Sequence, residues 1–258
     1  MARDWDAARY EELSSPQTLW GAGVLERLEA RGDEYALDAG CGTGRVTGLL
    51  LERLPDGRVL AMDGSGAMVE AARRRFAGEP RVRVECQDLL SLEVAEPVDL
   101  VFSTATFHWI KDHEVLFERL ARALKPGGRL VAQCGGEGNI SRATQAAEET
   151  MEEERFLHYF EGWDDDKNYA GVEATRSRLE AAGFEEVEIW LHDEPTRFGS
   201  AEELASFLAT VVLGGHLERL PEGEREPFAA AVAERIAAFE EPPVLDYVRL
   251  NMNARTAA

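Results

Sequence analysis

The sequence has little lysine, an excess of acidic residues and no long apolar run. Lysine occurs only at Lys111, Lys125 and Lys167, and 28 basic residues stand against 49 acidic ones, for a formal net charge of -21. Nucleic acids and anionic membranes are bound through Lys and Arg that neutralise phosphates, so neither is expected as a partner. Small-molecule chemistry is the class of function that this composition favours.

Two further absences bear on location and on metals. The apolar runs are shorter than the 18 or more residues of a membrane span, and residues 1–10 lack the apolar core of a signal peptide, so a cytoplasmic location is expected. Cys41, Cys86 and Cys134 form no CxxC pair and have no His nearby at metal-ligand spacing. Neither a disulfide framework nor a metal site is predicted.

The abundance of Arg, Ala and Gly is typical of GC-rich bacterial genomes. The oligomeric state stays open.

Residues 34–134 alternate short β-branched runs with helical stretches, which is typical of βαβ units and a parallel sheet. Strands are predicted at residues 35–39, 58–63, 82–86, 98–103 and 129–134. Helices are predicted at residues 16–31, 45–53, 65–76 and 113–124. A Lys-Pro-Gly-Gly run ends the last of these helices, because proline cannot continue a helix and glycine permits the turn. The fold class is therefore α/β.

Beyond Gly135 the pattern becomes mostly helical. Residues 141–160 are rich in Glu and Ala with apolar residues at helical spacing, and they predict a helical cover. Further helices are predicted at residues 172–182, 201–213 and 224–239, and strands at residues 184–191 and 244–252. A chain of 258 residues with this pattern fits one domain with insertions better than two independent domains.

A glycine-rich loop follows the first predicted strand. Gly40, Cys41, Gly42 and Gly44 lie where this strand turns into a helix, and glycine there lets the backbone approach a ligand at the helix N-terminus. The third glycine comes one position earlier than in the dinucleotide motif G-x-G-x-x-G. The tighter turn suits a ligand without a pyrophosphate, and Asp38 can accept hydrogen bonds from an ammonium group. An ordinary tight turn between strand and helix is the alternative.

The second predicted strand also ends on an acidic residue. Asp63 comes 23 residues after Gly40, close to the offset at which a carboxylate meets a ribose diol. Gly64 follows it, and Met68 is placed either to lie against an adenine ring or to fill the core. Ser65 is the expected N-cap of the next helix.

The ends of the third and fourth strands complete the predicted binding edge. Asp88 could accept an adenine amino group while Leu89 packs against the ring, or Asp88 could be a solvated turn residue. Ser103 and Thr104, at the end of the fourth strand, are assigned to the same ligand.

Taken in order, residues 38–44, 63–68, 87–88 and 124–128 resemble the motif set of class I S-adenosylmethionine-dependent methyltransferases. The resemblance implies S-adenosylmethionine as cofactor and a Rossmann-like, doubly wound sheet of seven strands. The implied strand order is 3-2-1-4-5-7-6 with the last strand antiparallel. It divides the chain into an N-terminal helical cap (1–33), a cofactor-binding core (34–135), acceptor-side helical insertions (136–170 and 198–240), and a final helix with strands (171–197 and 241–252).

Within that class, the Trp5-Asp6 pair, Tyr10 and the run of residues 107–110 are similar to the trans-aconitate 2-methyltransferase family and related small-carboxylate O-methyltransferases. Residues 133–138 depart from the usual run after strand five. The resemblance implies methyl transfer to a small-molecule acceptor, with a carboxylate oxygen as the first choice.

His108 and Trp109 follow strand four and are the predicted acceptor-side residues. They could orient a carboxylate, which needs no base, or His108 could act as general base for a hydroxyl or carbon acceptor. A packed aromatic pair is the alternative. Possible clamps for an anionic acceptor are Arg142, Arg176, Arg197 and Arg249. Aromatic residues that could line the pocket, or be simple core, are Tyr10, Trp20, Tyr159, Trp163 and Tyr247.

Three other classes of protein compete with this interpretation. A nicotinamide-dependent oxidoreductase is disfavoured by the spacing of the glycines and by Asp88. A non-catalytic S-adenosylmethionine-binding protein would carry the same cofactor motifs. A nucleic-acid or protein methyltransferase is disfavoured by the charge and because residues 103–106 read Ser-Thr-Ala-Thr, not Asn-Pro-Pro-Tyr.

Overall fold

The computed structural model describes residues 15–165 and 167–258, and it contains one seven-stranded sheet. Its strands in chain order are β1 (Tyr35–Ala39), β2 (Arg58–Asp63), β3 (Val82–Cys86), β4 (Val98–Thr104), β5 (Leu124–Gly135), β6 (Phe184–Asp193) and β9 (Val248–Thr256). They lie in the order β3-β2-β1-β4-β5-β9-β6. Strands β1 to β5 are parallel, and β9 runs antiparallel to both of its neighbours. The predicted order is confirmed, with β9 as the seventh strand of the sheet.

Helices cover both faces of the sheet. They are α1 (Ser15–Glu26), α2 (Arg45–Glu52), α3 (Gly66–Arg75), α4 (His113–Ala123), α5 (Ser141–Met151), α6 (Val172–Ala181), α7 (Ala201–Phe207), α8 (Gly214–Arg219) and α9 (Glu222–Ala237). Successive residues of a strand point to opposite faces. Thus Ala36 packs in a core with α1 and α2, and Leu37 packs in a core with α4 and α6. Burial on both faces explains why the central parallel strands β1, β2 and β4 are mostly apolar.

A second apolar core lies outside the sheet. It is built from α5, α7 and α9, and its centre is Phe228. The ring of Phe228 lies 5.2 Å from that of Phe156 and 5.3 Å from that of Phe160, measured between centroids. The insertions after β5 and β6 therefore pack on each other as one helical cover.

The prediction of one continuous strand at residues 244–252 is wrong, because the strand is interrupted at Asp246 and Tyr247. The short strand β8 (Val244–Leu245) pairs with β7 (Thr196–Arg197) in a separate ribbon, and β9 begins only at Val248. The carboxylate of Asp246 accepts a hydrogen bond from the Ser141 hydroxyl at 2.5 Å, and its carbonyl accepts one from the Ile140 N–H at 3.0 Å. These bonds tie the chain to the start of α5.

Other predicted boundaries also move. The helix predicted at 141–160 ends at Met151, and the one predicted at 16–31 ends at Glu26. The predicted turn at 125–128 is part of β5, which begins where Leu124 pairs with Val98. The helix predicted at 201–213 becomes a π-helical turn from Leu208 to Val212, and α8 was not predicted. Within the described ranges, no helix combines the length and the apolar character needed to cross a bilayer.

Candidate active site

A cavity lies at the carboxyl ends of β1 to β5, the edge at which open α/β sheets bind ligands. Its volume is about 470 Å³. The loops after these strands supply one part of its wall, and the helical cover contributes Val211, Val212 and Gly215. The sheet and the insertions thus enclose a site of the size of a small-molecule pocket.

Two residues of the glycine loop, Gly40 and Gly42, line this cavity. Gly40 adopts a φ of 88°, and a Cβ built on it would lie 2.1 Å from the Thr106 Oγ1, so a larger residue would displace the loop after β4. Gly42 lines the cavity with a φ of 54°, and a Cβ there would meet no atom within 4 Å. A side chain at this position would occupy open space that the glycine leaves for a ligand.

Asp63 joins the glycine loop to the start of α3. Its Oδ2 accepts the Gly42 N–H at 2.9 Å and its Oδ1 accepts the Ser65 N–H at 2.8 Å. Burial raises the pKa of Asp63, and the backbone hydrogen bonds from Ser65, Gly42 and Gly64 oppose that shift. The carboxylate faces the cavity with oxygen lone pairs that can accept the two hydroxyls of a ribose.

The adenine end of the predicted site lies beside it. Gly64, Met68, Asp88 and Leu89 all line the cavity. The Asp88 side chain also accepts the Leu90 N–H at 2.9 Å, which fixes the short turn after β3. Met68 is 3% exposed, so one side chain both fills the core and contributes to the wall.

Some predicted cofactor residues do not line the cavity. In the described part of the chain, Thr104 lines the cavity, whereas four predicted residues do not: Asp38, Cys41, Gly44 and Ser103. The Ser103 hydroxyl donates to the Ala39 carbonyl at 2.6 Å. The Thr47 hydroxyl donates to Asp38 at 2.6 Å, and burial raises the pKa of Asp38 to about 7. These side chains support the loop from below, and their contact with a ligand stays a prediction.

His108 lies in a short 3-10 turn after β4, with 7% of its surface exposed. Its Nδ1 accepts the Gly135 N–H at 3.2 Å, so in the neutral ring the hydrogen is on Nε2. Burial, followed by the nearby cations Arg249 and Lys167, holds the pKa of His108 well below its usual value. The imidazole is therefore neutral at physiological pH and presents an N–H donor.

Of the residues that the structure describes, three with cationic side chains line the same cavity: Lys111, Lys167 and Arg249. The Lys167 Nζ lies 5.5 Å from the centroid of the Trp109 ring, and the Arg249 guanidinium lies 4.5 Å from that of Trp20. Lys111 also pairs with Asp164 at 2.6 Å, and Lys167 with Asp165 at 2.8 Å. Two of the three lysines in the chain are thus gathered at one site.

Of the four predicted arginine clamps, Arg249 is at the cavity. Arg142 and Arg197 pair with Glu240 at 3.3 Å and 3.2 Å, and Arg176 donates to a backbone carbonyl at 2.5 Å. Arg249 is 2% exposed and belongs to β9, where it pairs with Gly135 of β5. Its position in β9 therefore distinguishes Arg249 from the other three predicted arginines.

Some of the predicted aromatic residues line the cavity and others do not. Trp20 and Tyr247 line the cavity with ring centroids 4.7 Å apart. Tyr159 packs on His158 and, in the described part of the chain, does not belong to the wall. Trp5, Asp6 and Tyr10 lie outside the described residues.

Several wall residues were not predicted from the sequence, namely Asn139, Ile140, Lys111, Lys167 and Tyr169. The scarcity of lysine was a signal that could have found two of them. Over residues 15–165 and 167–258, no group of three or more His, Cys, Asp or Glu side chains is arranged to hold a metal ion.

A doubly wound sheet of this order, with a glycine loop and acidic residues at the ends of β2 and β3, defines a class I methyltransferase. Residues 36–128 match the family model described as a methyltransferase domain. The trans-aconitate 2-methyltransferase of Sinorhizobium medicae is 31% identical over 233 residues, 90% of this chain and 89% of that protein. That of an Acidovorax species is 30% identical over 241 residues, with the same coverage.

Solved structures agree in fold. Phosphoethanolamine N-methyltransferase 2 of Haemonchus contortus, bound to S-adenosylhomocysteine, is 19% identical with a TM-score of 0.63. The match covers 98% of this chain and 57% of that one. The YcgJ protein of Bacillus subtilis is 14% identical with a TM-score of 0.63, over 93% of this chain and 99% of that one. The chain belongs to the methyltransferase family, and S-adenosylmethionine is its cofactor.

Proposed function

We propose that the protein transfers a methyl group to a carboxylate oxygen of a small polycarboxylic acid of the trans-aconitate type. The observation that carries this proposal is the donor-rich wall made by His108, Lys111, Lys167 and Arg249. A chain with a net charge of -21 repels polyanions, so a pocket for one needs local cations. The names of the bacterial relatives point to the same acceptor class.

The cofactor fits the opposite part of the cavity. Gly40 and Gly42 leave room for its amino acid portion, Asp63 accepts the ribose hydroxyls, and Asp88 with Leu89 holds the adenine. When bound there, S-adenosylmethionine supplies the methyl group from a sulfonium. The protein's task is then to orient the acceptor and exclude water.

His108 acts as a donor in this scheme. A carboxylate is ionised at neutral pH and needs no deprotonation, and the Nε2–H of a neutral His108 can hold one of its oxygens. A general base would need a vacant ring nitrogen, whereas Nδ1 already accepts the Gly135 N–H. This arrangement favours a carboxylate over a hydroxyl or carbon acceptor.

The two insertions form the acceptor side. Residues 136–170 contribute Asn139, Lys167 and Tyr169 to the wall, and residues 198–240 contribute Val211 and Glu218. Residues 34–135 carry the cofactor side. The division into a cofactor-binding core and an acceptor-side cover is therefore part of the proposal.

The test compares acceptors with labelled S-adenosylmethionine. The ratio kcat/KM is expected to be highest for trans-aconitate, lower for citrate and dicarboxylates, and at background for crotonate, a monocarboxylate. Phosphoethanolamine serves as the amine acceptor for comparison. At saturating S-adenosylmethionine, kcat is expected to be constant from about pH 6.5 to about pH 9, because His108 stays neutral over this range. Preference for phosphoethanolamine, or a rate that follows one titrating base, would contradict the proposal.

A further inference from the structure

Tyr169 lines the acceptor side of the cavity, although no sequence motif points to it. Its ring stacks on that of His108, with 5.8 Å between centroids and 26° between planes. The two polar tips are thus carried by neighbouring, nearly parallel rings. A group that binds to His108 therefore also lies close to Tyr169.

The side chains of Asn139 and Tyr169 lie together beside Gly135. The Asn139 Oδ1 accepts the Val248 N–H at 3.0 Å, so its amide nitrogen is the group left to donate, and the Asn139 side chain hydrogen-bonds Tyr169. A Cβ at Gly135 would lie 2.8 Å from the Asn139 Nδ2 and 2.7 Å from the Tyr169 ring. The glycine allows both side chains to pack against β5.

A phenol has one hydrogen to donate and can also accept. Because Asn139 donates to the Tyr169 oxygen, the hydroxyl hydrogen remains for another partner. Burial raises the pKa of Tyr169, so the hydroxyl keeps this hydrogen at physiological pH. His108 has the same arrangement, because a backbone N–H donates to its Nδ1. Each of the two side chains accepts a hydrogen bond from the protein and keeps one hydrogen to donate to a ligand.

We infer that Tyr169 binds the acceptor carboxylate through its hydroxyl, and that Asn139 is the positioning residue that turns this hydroxyl toward the acceptor. The inference rests on the proposed function and adds a second oriented donor to it. Tyr169 and His108 together hold the anion, and no proton moves during the transfer.

The first test is Tyr169→Phe, which removes the hydroxyl and keeps the ring stacked on His108. The KM for trans-aconitate is expected to rise by on the order of 10- to 100-fold, the usual loss for a hydrogen bond to a charged group. The kcat and the affinity for S-adenosylmethionine are expected to change less than about 3-fold, and the latter reports an intact fold. Tyr159→Phe is the matched control, since Tyr159 packs on His158 outside the wall, and its KM is expected to stay at the wild-type value.

The second test is Asn139→Asp. An aspartate can still accept the Val248 N–H, but it offers Tyr169 an acceptor and so draws the hydroxyl hydrogen away from the cavity. The KM is expected to rise as in Tyr169→Phe, and the same substitution on the Tyr169→Phe background is expected to add less than about 3-fold. Direct repulsion by the new carboxylate would persist on that background, and a full multiplicative effect would overturn the role of Asn139.

An unchanged KM in Tyr169→Phe, with wild-type transfer to trans-aconitate, would overturn the role of Tyr169. Direct binding separates this failure from that of the proposed function. Calorimetry of trans-aconitate with the protein saturated in S-adenosylhomocysteine is expected to give binding that Tyr169→Phe weakens by the same factor. Absence of binding to the wild-type protein would refute the proposed function and this inference with it.

Discussion

Asp38 is a fully buried carboxyl beneath the glycine loop, and its ionisation should set a visible part of the pH dependence of stability. It is 2% exposed, and the Thr47 hydroxyl is its hydrogen-bond donor at 2.6 Å. Burial raises its pKa from 3.8 to about 7, with the Thr47 bond acting in the opposite direction and the nearby Asp63 adding to the shift. In the unfolded chain the same group titrates near 3.9.

The sign follows from the protons bound in each state. Between pH 4 and pH 7 the folded protein holds the Asp38 proton and the unfolded chain does not, so the free energy of unfolding falls as pH rises through this window. Above pH 7 both states are ionised and the slope from this group vanishes. A shift of about 3 pKa units corresponds to about 4 kcal/mol in total.

Asp38→Asn removes this titration and keeps an oxygen that can accept from Thr47. Relative to wild type, the variant is expected to gain about 4 kcal/mol of unfolding free energy between pH 4 and pH 8, measured by urea denaturation at each pH. Asp56→Asn, at an exposed turn, is the matched control, and its difference from wild type should stay within about 0.5 kcal/mol at both pH values. A difference for Asp38→Asn that does not depend on pH would refute the reasoning.

Three further substitutions test the site. Gly40→Ala places a methyl group against Thr106 and should lower S-adenosylmethionine affinity by more than about 10-fold in calorimetry, while Gly48→Ala, where a Cβ meets no atom within 4 Å, should leave it unchanged. Ala105→Gly relieves a φ of 56° and should raise the free energy of unfolding in urea by about 1 kcal/mol; a loss of stability would contradict the strain. Arg249→Gln should raise the KM for trans-aconitate by about 100-fold and leave cofactor affinity intact, whereas Arg197→Gln should change neither; equal effects of the two would argue against a clamp at Arg249.

The cofactor half of the molecule was open to prediction because its signals are local. The bounds predicted for β1, β2 and β3 agree with the structure, since β1 and β2 are mostly apolar, β3 alternates valine with charged residues, and a turn follows each strand. Asp63 and Gly42 meet because the ends of neighbouring parallel strands share one edge of the sheet. Knowledge of the strand order was enough to bring them together.

The acceptor half could not be predicted from the sequence, because its geometry depends on contacts between residues that are distant along the chain. Asn139 is oriented by Val248, which is 109 positions away, and Asp246, between β8 and β9, accepts a hydrogen bond from Ser141, which is 105 positions away. Arg249 could not be distinguished from three other arginines until β9 placed it opposite Gly135. No local pattern of residue types encodes such pairings.

The cover also contains a backbone conformation that sequence reasoning would not choose. Ile140 has a φ of 49°, a region that branched side chains rarely adopt, and it lines the cavity at the start of α5. Its N–H donates to the Asp246 carbonyl at 3.0 Å, which holds it there. Strained residues of this kind are concentrated at functional sites.

The central claim is that the acceptor atom is a carboxylate oxygen, and the stability of the methylated product to alkali tests it most directly. The wild-type protein would be incubated with methyl-labelled S-adenosylmethionine and trans-aconitate, and the product then treated with mild alkali. We expect a labelled methyl ester that alkali hydrolyses to labelled methanol. An alkali-stable labelled product, or no transfer to the acid by protein that binds the cofactor, would contradict it.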